Sequence, residues 1–289
     1  MTDTTSTSDA VRDQVARAYT AALETAQHGD GGCCGAAGGC CGAATATMPA
    51  GVAARTAGYD EEIARHGDAA ASSFGCGNPL AFAGVEPGHT VVDLGSGAGF
   101  DLLIAAEAVG PTGRVIGVDM TDAMIEAARA NATSAGFDQI EVRRGLIEEL
   151  PLADGVADWV ISNCVINLSP EKDRVFAEIR RVLRPGGRFS IADIVVGDLP
   201  DVVRTHPAAY AACVAGAVSE QAYLDGLRAA GLHDVVVRER QVYEPSQLRG
   251  MIAGDLETAG LDAGALDGVL DQLTGQVASI RVEGRRPPS

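Results

Sequence analysis

Positive charge is scarce in this chain. Its 289 residues carry 22 Lys and Arg against 39 Asp and Glu, a formal net charge of -17. Such a surface repels phosphate backbones and anionic headgroups, which sets aside nucleic acid and membrane surfaces as partners. Aromatic residues are few, at 4% with a single Trp. No apolar run reaches the roughly 18 residues of a spanning helix. Met1 to Ser8 lacks the basic flank and apolar segment of an export signal. These absences point to the cytoplasm. An odd number of cysteines, seven, without an export signal, predicts reduced thiols and not a disulfide framework.

What is present begins with Val91-Val92-Asp93-Leu94-Gly95-Ser96-Gly97-Ala98-Gly99-Phe100, an apolar strand, an acid, glycines on alternate positions and then a helical pattern through Leu102, Leu103 and Ala106. Glycines at the carboxyl end of a strand let a ligand approach the backbone closely. A dinucleotide fingerprint would put a third glycine where Phe100 stands, and Asp101 opens the helix where a pyrophosphate would dock. The loop suits a ligand without phosphate, held by its ribose and a charged amino-acid tail. S-adenosylmethionine is such a ligand, and the stretch resembles class I methyltransferases, in which the strand-end acid and glycine turn hold the methionine moiety.

Asp119 ends the next strand, Arg114 to Val118, about 20 residues beyond the turn, where an acid can accept both ribose hydroxyls. Met120 follows it. Thr121 is placed to cap a helix that Gly136 ends. Past a third strand at Ile140 to Val142, Glu148 could accept an adenine amino group while Ile147 covers the ring face. The cofactor-binding candidates are thus Asp93, Gly95, Ser96, Gly97, Gly99, Asp119, Met120, Ile147, Glu148 and Asn163.

A fourth strand at Trp159 to Ser162 leads into Asn163-Cys164-Val165-Ile166-Asn167-Leu168. A helix follows Ser169-Pro170, and Arg184-Pro185-Gly186-Gly187 breaks it before a fifth strand from Arg188 to Val196. Alternating strands and helices predict an α/β fold: a doubly wound, mostly parallel sheet with helices on both faces, Rossmann-like. Later strands at Val235 to Val242 and Val277 to Val282 lack long crossovers, predicting an antiparallel edge and a small C-terminal extension. Tyr210 to Gly216 reads as helical, as does part of Leu256 to Asp271. Residues 1–58 form an N-terminal helix, Val11 to Ala26, plus a Cys/Gly-rich loop. Residues 59–198 form the S-adenosylmethionine-binding core, and residues 199–289 complete the sheet and cover the substrate site.

Gly31 to Ala37, Gly-Gly-Cys-Cys-Gly-Ala-Ala, repeats verbatim as Gly38 to Ala44. Its pairs, Cys33-Cys34 and Cys40-Cys41, could gather a soft metal, or the segment could be an inert duplicated linker. The other cysteines are Cys76, Cys164 and Cys213. Any one of them could be a small buried hydrophobe. Without a His cluster or a Cys-x-x-Cys zinc spacing in the main domain, the set together suggests a thiophilic substrate. Trivalent arsenic fits, because three thiolates around its pyramidal centre leave the lone pair pointing outward.

Phe74-Gly75-Cys76-Gly77-Asn78-Pro79, Asp93-Leu94-Gly95-Ser96-Gly97, Gly117-Val118-Asp119-Met120-Thr121, Ile161-Ser162-Asn163-Cys164-Val165-Ile166-Asn167-Leu168 and Leu183-Arg184-Pro185-Gly186-Gly187-Arg188-Phe189 together resemble arsenite methyltransferases. The resemblance runs from about Tyr59 to about Glu244. It implies an enzyme that moves methyl groups from S-adenosylmethionine to thiolate-bound arsenic(III), giving methylated arsenicals and S-adenosylhomocysteine in arsenic detoxification. By the same resemblance Cys164 and Cys213 bind the arsenic, and Cys76 is a third thiolate or the redox partner of an upstream cysteine. Cys33, Cys34, Cys40 and Cys41 are further candidates for that upstream part. An external thiol reductant of the thioredoxin or glutathione type would be required. Two alternatives stand beside this: a class I methyltransferase acting on carbon or oxygen of a small metabolite, and a non-enzymatic metalloid binder.

Overall fold

A computed structural model describes residues 3–28, 59–70, 72–73, 75–80, 84–204, 210, 213–249 and 263–288. Cys33, Cys34, Cys40, Cys41 and Phe74 lie outside them, as do residues 211–212 and 256–262 of the two stretches read as helical.

Seven strands form one sheet: β1 (Thr90–Leu94), β2 (Arg114–Asp119), β3 (Ile140–Arg144), β4 (Ala157–Asn163), β5 (Leu183–Val196), β6 (His233–Val242) and β7 (Val277–Arg285). Their spatial order is β3-β2-β1-β4-β5-β7-β6. The first five are parallel, and β7 runs antiparallel to both β5 and β6, as the late strands predicted. Helices α1 (Asp3–His28), α2 (Phe100–Val109), α3 (Asp122–Ala135), α4 (Lys172–Val182), α5 (Glu220–Ala229) and α6 (Ala263–Leu273) accompany the sheet.

Strand periodicity divides the core between two faces. Val91, Val115, Trp159 and Ile161 pack with Leu102, Ala106, Ile125 and Ala128 from α2 and α3. Their neighbours Val92, Ile116 and Val160 point the other way and pack with Val175, Phe176 and Ile179 of α4 and Tyr223 and Leu227 of α5. Phe176 and Tyr223 meet edge-on with ring centroids 5.3 Å apart. Helices on both faces are thus the consequence of strands apolar at nearly every position.

Three local expectations differ. Thr121 stands at the N-cap of α3, but its side chain makes no capping bond; its own N–H instead donates to Asp119 Oδ1 at 2.9 Å. β5 starts at Leu183, not Arg188, because Gly186 N–H and Gly187 C=O pair with Arg286 and the glycines join the sheet. Cys213 is in a turn with φ +61°, where a helix cannot continue. Three residues on, Gly216 packs tightly: a Cβ there would lie 2.2 Å from Asn167 O.

Candidate active site

The carboxyl ends of β1, β2 and β4 open onto a cavity of about 960 Å³. It sits where the strand order reverses, between β1 and β4, the place where open parallel sheets leave a crevice for ligands. Asp93, Gly95, Ser96, Gly97, Asp119, Met120, Ile147, Glu148, Asn163 and Cys164 all line it. Gly99 does not. It holds φ +89° at the N-cap of α2, and a Cβ there would lie 3.1 Å from Ala128 Cβ, so it serves helix packing.

The glycine turn is shaped by its neighbours. Gly95 has φ +65°, and a Cβ on it would come within 2.3 Å of Val165 Cγ2, so this turn and the segment after Cys164 touch through the missing side chain. Gly97 N–H donates to Asp119 Oδ2 at 2.9 Å, which ties the turn to β2. Ser96 Oγ is buried with no hydrogen-bond partner among the described residues. It lies against Gly117 of β2, where a Cβ would come within 2.6 Å of it.

Three carboxyls crowd this end. Burial pushes Asp93 well above the usual carboxylate range, and nearby Asp101 and Asp119 push it further. Burial raises Asp119 as well, partly offset by the N–H groups of Thr121 and Gly97. Asp101 is also raised by burial, against the hydroxyl of Tyr59 and the amide of Asn163, which both bond to it. An acidic wall withdrawn from water fits a ligand that brings a cation and hydroxyl groups.

Asn163 was expected to bind cofactor, but its side chain is occupied within the protein. Oδ1 accepts from Cys76 N–H at 3.0 Å and Gly77 N–H at 3.2 Å. Nδ2 donates to Gly77 O at 2.7 Å, Asp101 Oδ2 at 3.0 Å and Tyr59 Oη at 3.2 Å. The amide clips the Cys76 turn to the end of β4. Gly75 is needed for that approach, since a Cβ there would lie 2.2 Å from Asn163 Nδ2.

The three cysteines that the chain spaces widely do converge. Cys76 and Cys164 form a disulfide, with Cα atoms 5.7 Å apart. This corrects the expectation of reduced thiols throughout: the Asn163 clip brings the two sulfurs within bonding reach. Cys213 is free and buried, and its thiol donates to Cys164 O at 2.8 Å. Burial, then Asp193, raises its pKa. Among the described residues no three His, Cys, Asp or Glu side chains are set as a metal site, so with Cys76 and Cys164 joined the expected three-thiolate cup is not assembled.

Arg12, Val15 and Tyr19 of α1 line the cavity; sequence reasoning placed Val15 on the apolar face of this helix but did not name Arg12 or Tyr19. Their spacing of three and four places them on one helix face, a signal that marks a buried side without saying what it covers. Tyr19 Oη lies 3.9 Å from Cys213 Sγ, and Arg12 bonds to Glu148. Tyr59, wholly buried over Phe100, was likewise not assigned a role.

Residues 85–231 match a family described as a methyltransferase domain. The chain is 48% identical over 191 residues to an arsenite methyltransferase of Halobacterium salinarum, covering 65% of this chain and 46% of that protein. It is 36% identical over 168 residues to the arsenite methyltransferase of Homo sapiens, covering 53% of this chain and 43% of that one. It therefore spans a little under half the length of these curated relatives. Among solved structures, an arsenic(III) S-adenosylmethionine methyltransferase from Chlamydomonas reinhardtii superimposes with a TM-score of 0.61 at 35% identity, covering 83% of this chain and 75% of that one.

Proposed function

The chain belongs to the methyltransferase-domain family, and we propose that it transfers methyl groups from S-adenosylmethionine to thiolate-bound trivalent arsenic. The observation that carries this reading is the meeting of Cys76 and Cys213 at Cys164, which lines the glycine-turn cavity. The arsenic-methylating relatives support it.

When bound, S-adenosylmethionine supplies an electrophilic methyl group on a sulfonium. The acidic wall of Asp93 and the open backbone at Gly97 would hold its amino-acid tail. Asp119 would take the ribose hydroxyls, Met120 and Ile147 the ring faces, and Glu148 the adenine amino group. Helix α1 covers the cavity, and excluding water keeps the donor for the intended acceptor.

Once an external thiol of the thioredoxin or glutathione type has opened the Cys76–Cys164 disulfide, two thiol equivalents being oxidised as two protein thiols form, Cys164 and Cys213 hold the arsenic substrate and Cys76 joins them. The arsenic lone pair then takes the methyl group, a step that needs alignment far more than proton transfer. Methylation oxidises the arsenic by two electrons. Two cysteine thiolates restore the trivalent state by leaving as a disulfide, and Cys76–Cys164 is a pair suited to that step.

Among the described residues no helix is long and apolar enough to cross a membrane. The chemistry calls for a thiol-rich compartment, which supports the cytoplasm.

Incubation with arsenite, S-adenosylmethionine and a thiol, followed by separation of arsenic species, tests the reading. Methylated arsenic should form, and Cys164→Ser or Cys213→Ser should cut it by about 100-fold or more. Full turnover in either variant would remove the arsenic reading and leave a methyltransferase of another substrate.

A further inference from the structure

Arg12 enters the cavity from a helix that no motif marked, and its bonds converge on a single atom. Its Nε and Nη2 donate to Glu148 Oε1 at 3.3 and 3.1 Å, and Nη2 also reaches Glu171 Oε2 at 2.5 Å. Ser169 Oγ donates to the same Glu148 Oε1 at 2.7 Å. The other carboxylate oxygen, Oε2, takes no hydrogen bond from the described residues. The Glu148 side chain is only 4% exposed, and both it and Arg12 line the cavity.

A carboxylate this deeply placed is costly to bury without a counter-charge, and it recognises a ligand only if its orientation is fixed. Arg12 supplies the charge, and Arg12 and Ser169 together pin Oε1. That leaves Oε2 as a lone acceptor on a cavity wall whose neighbour, Ile147, is apolar. Glu171 shares Nη2 with Glu148, and Nη1 donates to Asp9 Oδ1 at 3.0 Å, so Arg12 is itself fixed by three carboxylates.

We propose that Arg12 is a positioning residue for base recognition: by pinning Glu148 Oε1 it presents Oε2 to the exocyclic amino group of an adenine, so that seating α1 and reading the base are one event. This rests on the reading that the cavity takes an adenosyl ligand. Without Arg12, Glu148 would keep only the Ser169 bond. It could then rotate, and a carboxylate free to turn no longer holds Oε2 where the 6-amino group must donate.

The test is the ratio of two affinities, measured by calorimetry with S-adenosylhomocysteine and S-inosylhomocysteine, which differ in the 6-amino group. The wild-type chain should favour the adenosyl compound by about 10- to 100-fold, the worth of one hydrogen bond to a charged group. Arg12→Gln should bring the ratio to within about threefold, and Ser169→Ala should lower it partway. Val15→Ala, on the same face of α1 but remote from Glu148, should weaken both compounds together and leave the ratio unchanged.

If Arg12→Gln weakens both compounds equally with the ratio intact, α1 merely covers the cavity and the proposal is wrong. Should Arg12→Gln fail to fold, an unchanged ratio in Ser169→Ala and Arg12→Lys would overturn the proposal in its place. If the wild-type chain itself binds neither compound, or shows no preference, the adenosyl reading of the cavity fails first, and the proposal with it.

Discussion

The Cys213 thiol donates to the carbonyl oxygen of Cys164 at 2.8 Å across 49 residues of chain. Both residues hold positive φ, +57° at Cys164 and +61° at Cys213, and only Asp234 shares this among described non-glycine residues. Such backbone costs about 1 kcal/mol or more per residue and persists where the surroundings impose it. Here Val165 seats against the glycine turn, and Gly216 lies against Asn167.

Burial, with Asp193 nearby, raises the Cys213 pKa, so at neutral pH this thiol is protonated. Thiolate is the species that alkylates. Iodoacetamide should therefore label Cys213 at least about tenfold more slowly than an ordinary cysteine at pH 8, and at the ordinary rate once urea unfolds the chain. Peptide mass spectrometry reads this directly. Native labelling as fast as unfolded labelling would mean the thiol is neither buried nor raised.

Asn163→Ala removes the acceptor of two N–H groups in the Cys76 turn. A lost buried partner costs about 1 to 3 kcal/mol, and here that loss frees Cys76 from Cys164. In glutathione redox buffers the Cys76–Cys164 disulfide of the variant should be reduced at a lower thiol ratio, by roughly tenfold or more. Non-reducing peptide maps would show it. An unchanged midpoint would mean that the turn is placed by something other than this amide.

Gly95→Ala puts a methyl group 2.3 Å from Val165 Cγ2 on a residue with φ +65°. The variant should lose about 2 kcal/mol of stability and most of its affinity for S-adenosylhomocysteine. Adding Val165→Ala relieves the clash but not the backbone strain, so the double variant should recover part of the stability and never all of it. Urea melts of the wild type and the two variants separate the two contributions. Full recovery would show that the left-handed conformation costs nothing here.

Much of this was legible because it is periodic or punctuated. The alternation of Val91 and Val92, the glycine turn and the cap at Gly136 each follow from local chemistry. What stayed hidden depends on distant partners. Nothing in Asn163-Cys164 says that the amide bonds to the Cys76 turn. Nothing in the alanine-rich setting of Cys213 announces a left-handed turn. Arg12 lies on a visible helix face, yet its partner Glu148 is 136 residues away.

Asp193, at 1% exposure, accepts from Asn167 Nδ2 at 2.8 Å, Ile194 N–H at 2.9 Å and Tyr223 Oη–H at 3.1 Å. Burial nevertheless raises it to about 7, with those bonds and Lys172 pulling the other way. In the unfolded chain an aspartate titrates near ~3.9. Between these values the folded state holds a proton that the unfolded state has released. Stability attributable to this group therefore falls as pH rises from about 4 to about 7, and is flat above that. Asp193→Asn keeps the shape and removes the titration. Urea unfolding across pH 4.5 to 8 should show the wild type losing ground to the variant by about 2 to 4 kcal/mol over that window. The raised Asp93, Asp101 and Asp119 act with the same sign in both proteins, so the difference isolates Asp193. Parallel profiles would mean that Asp193 is already ionised in the fold, with Lys172 as its counter-charge.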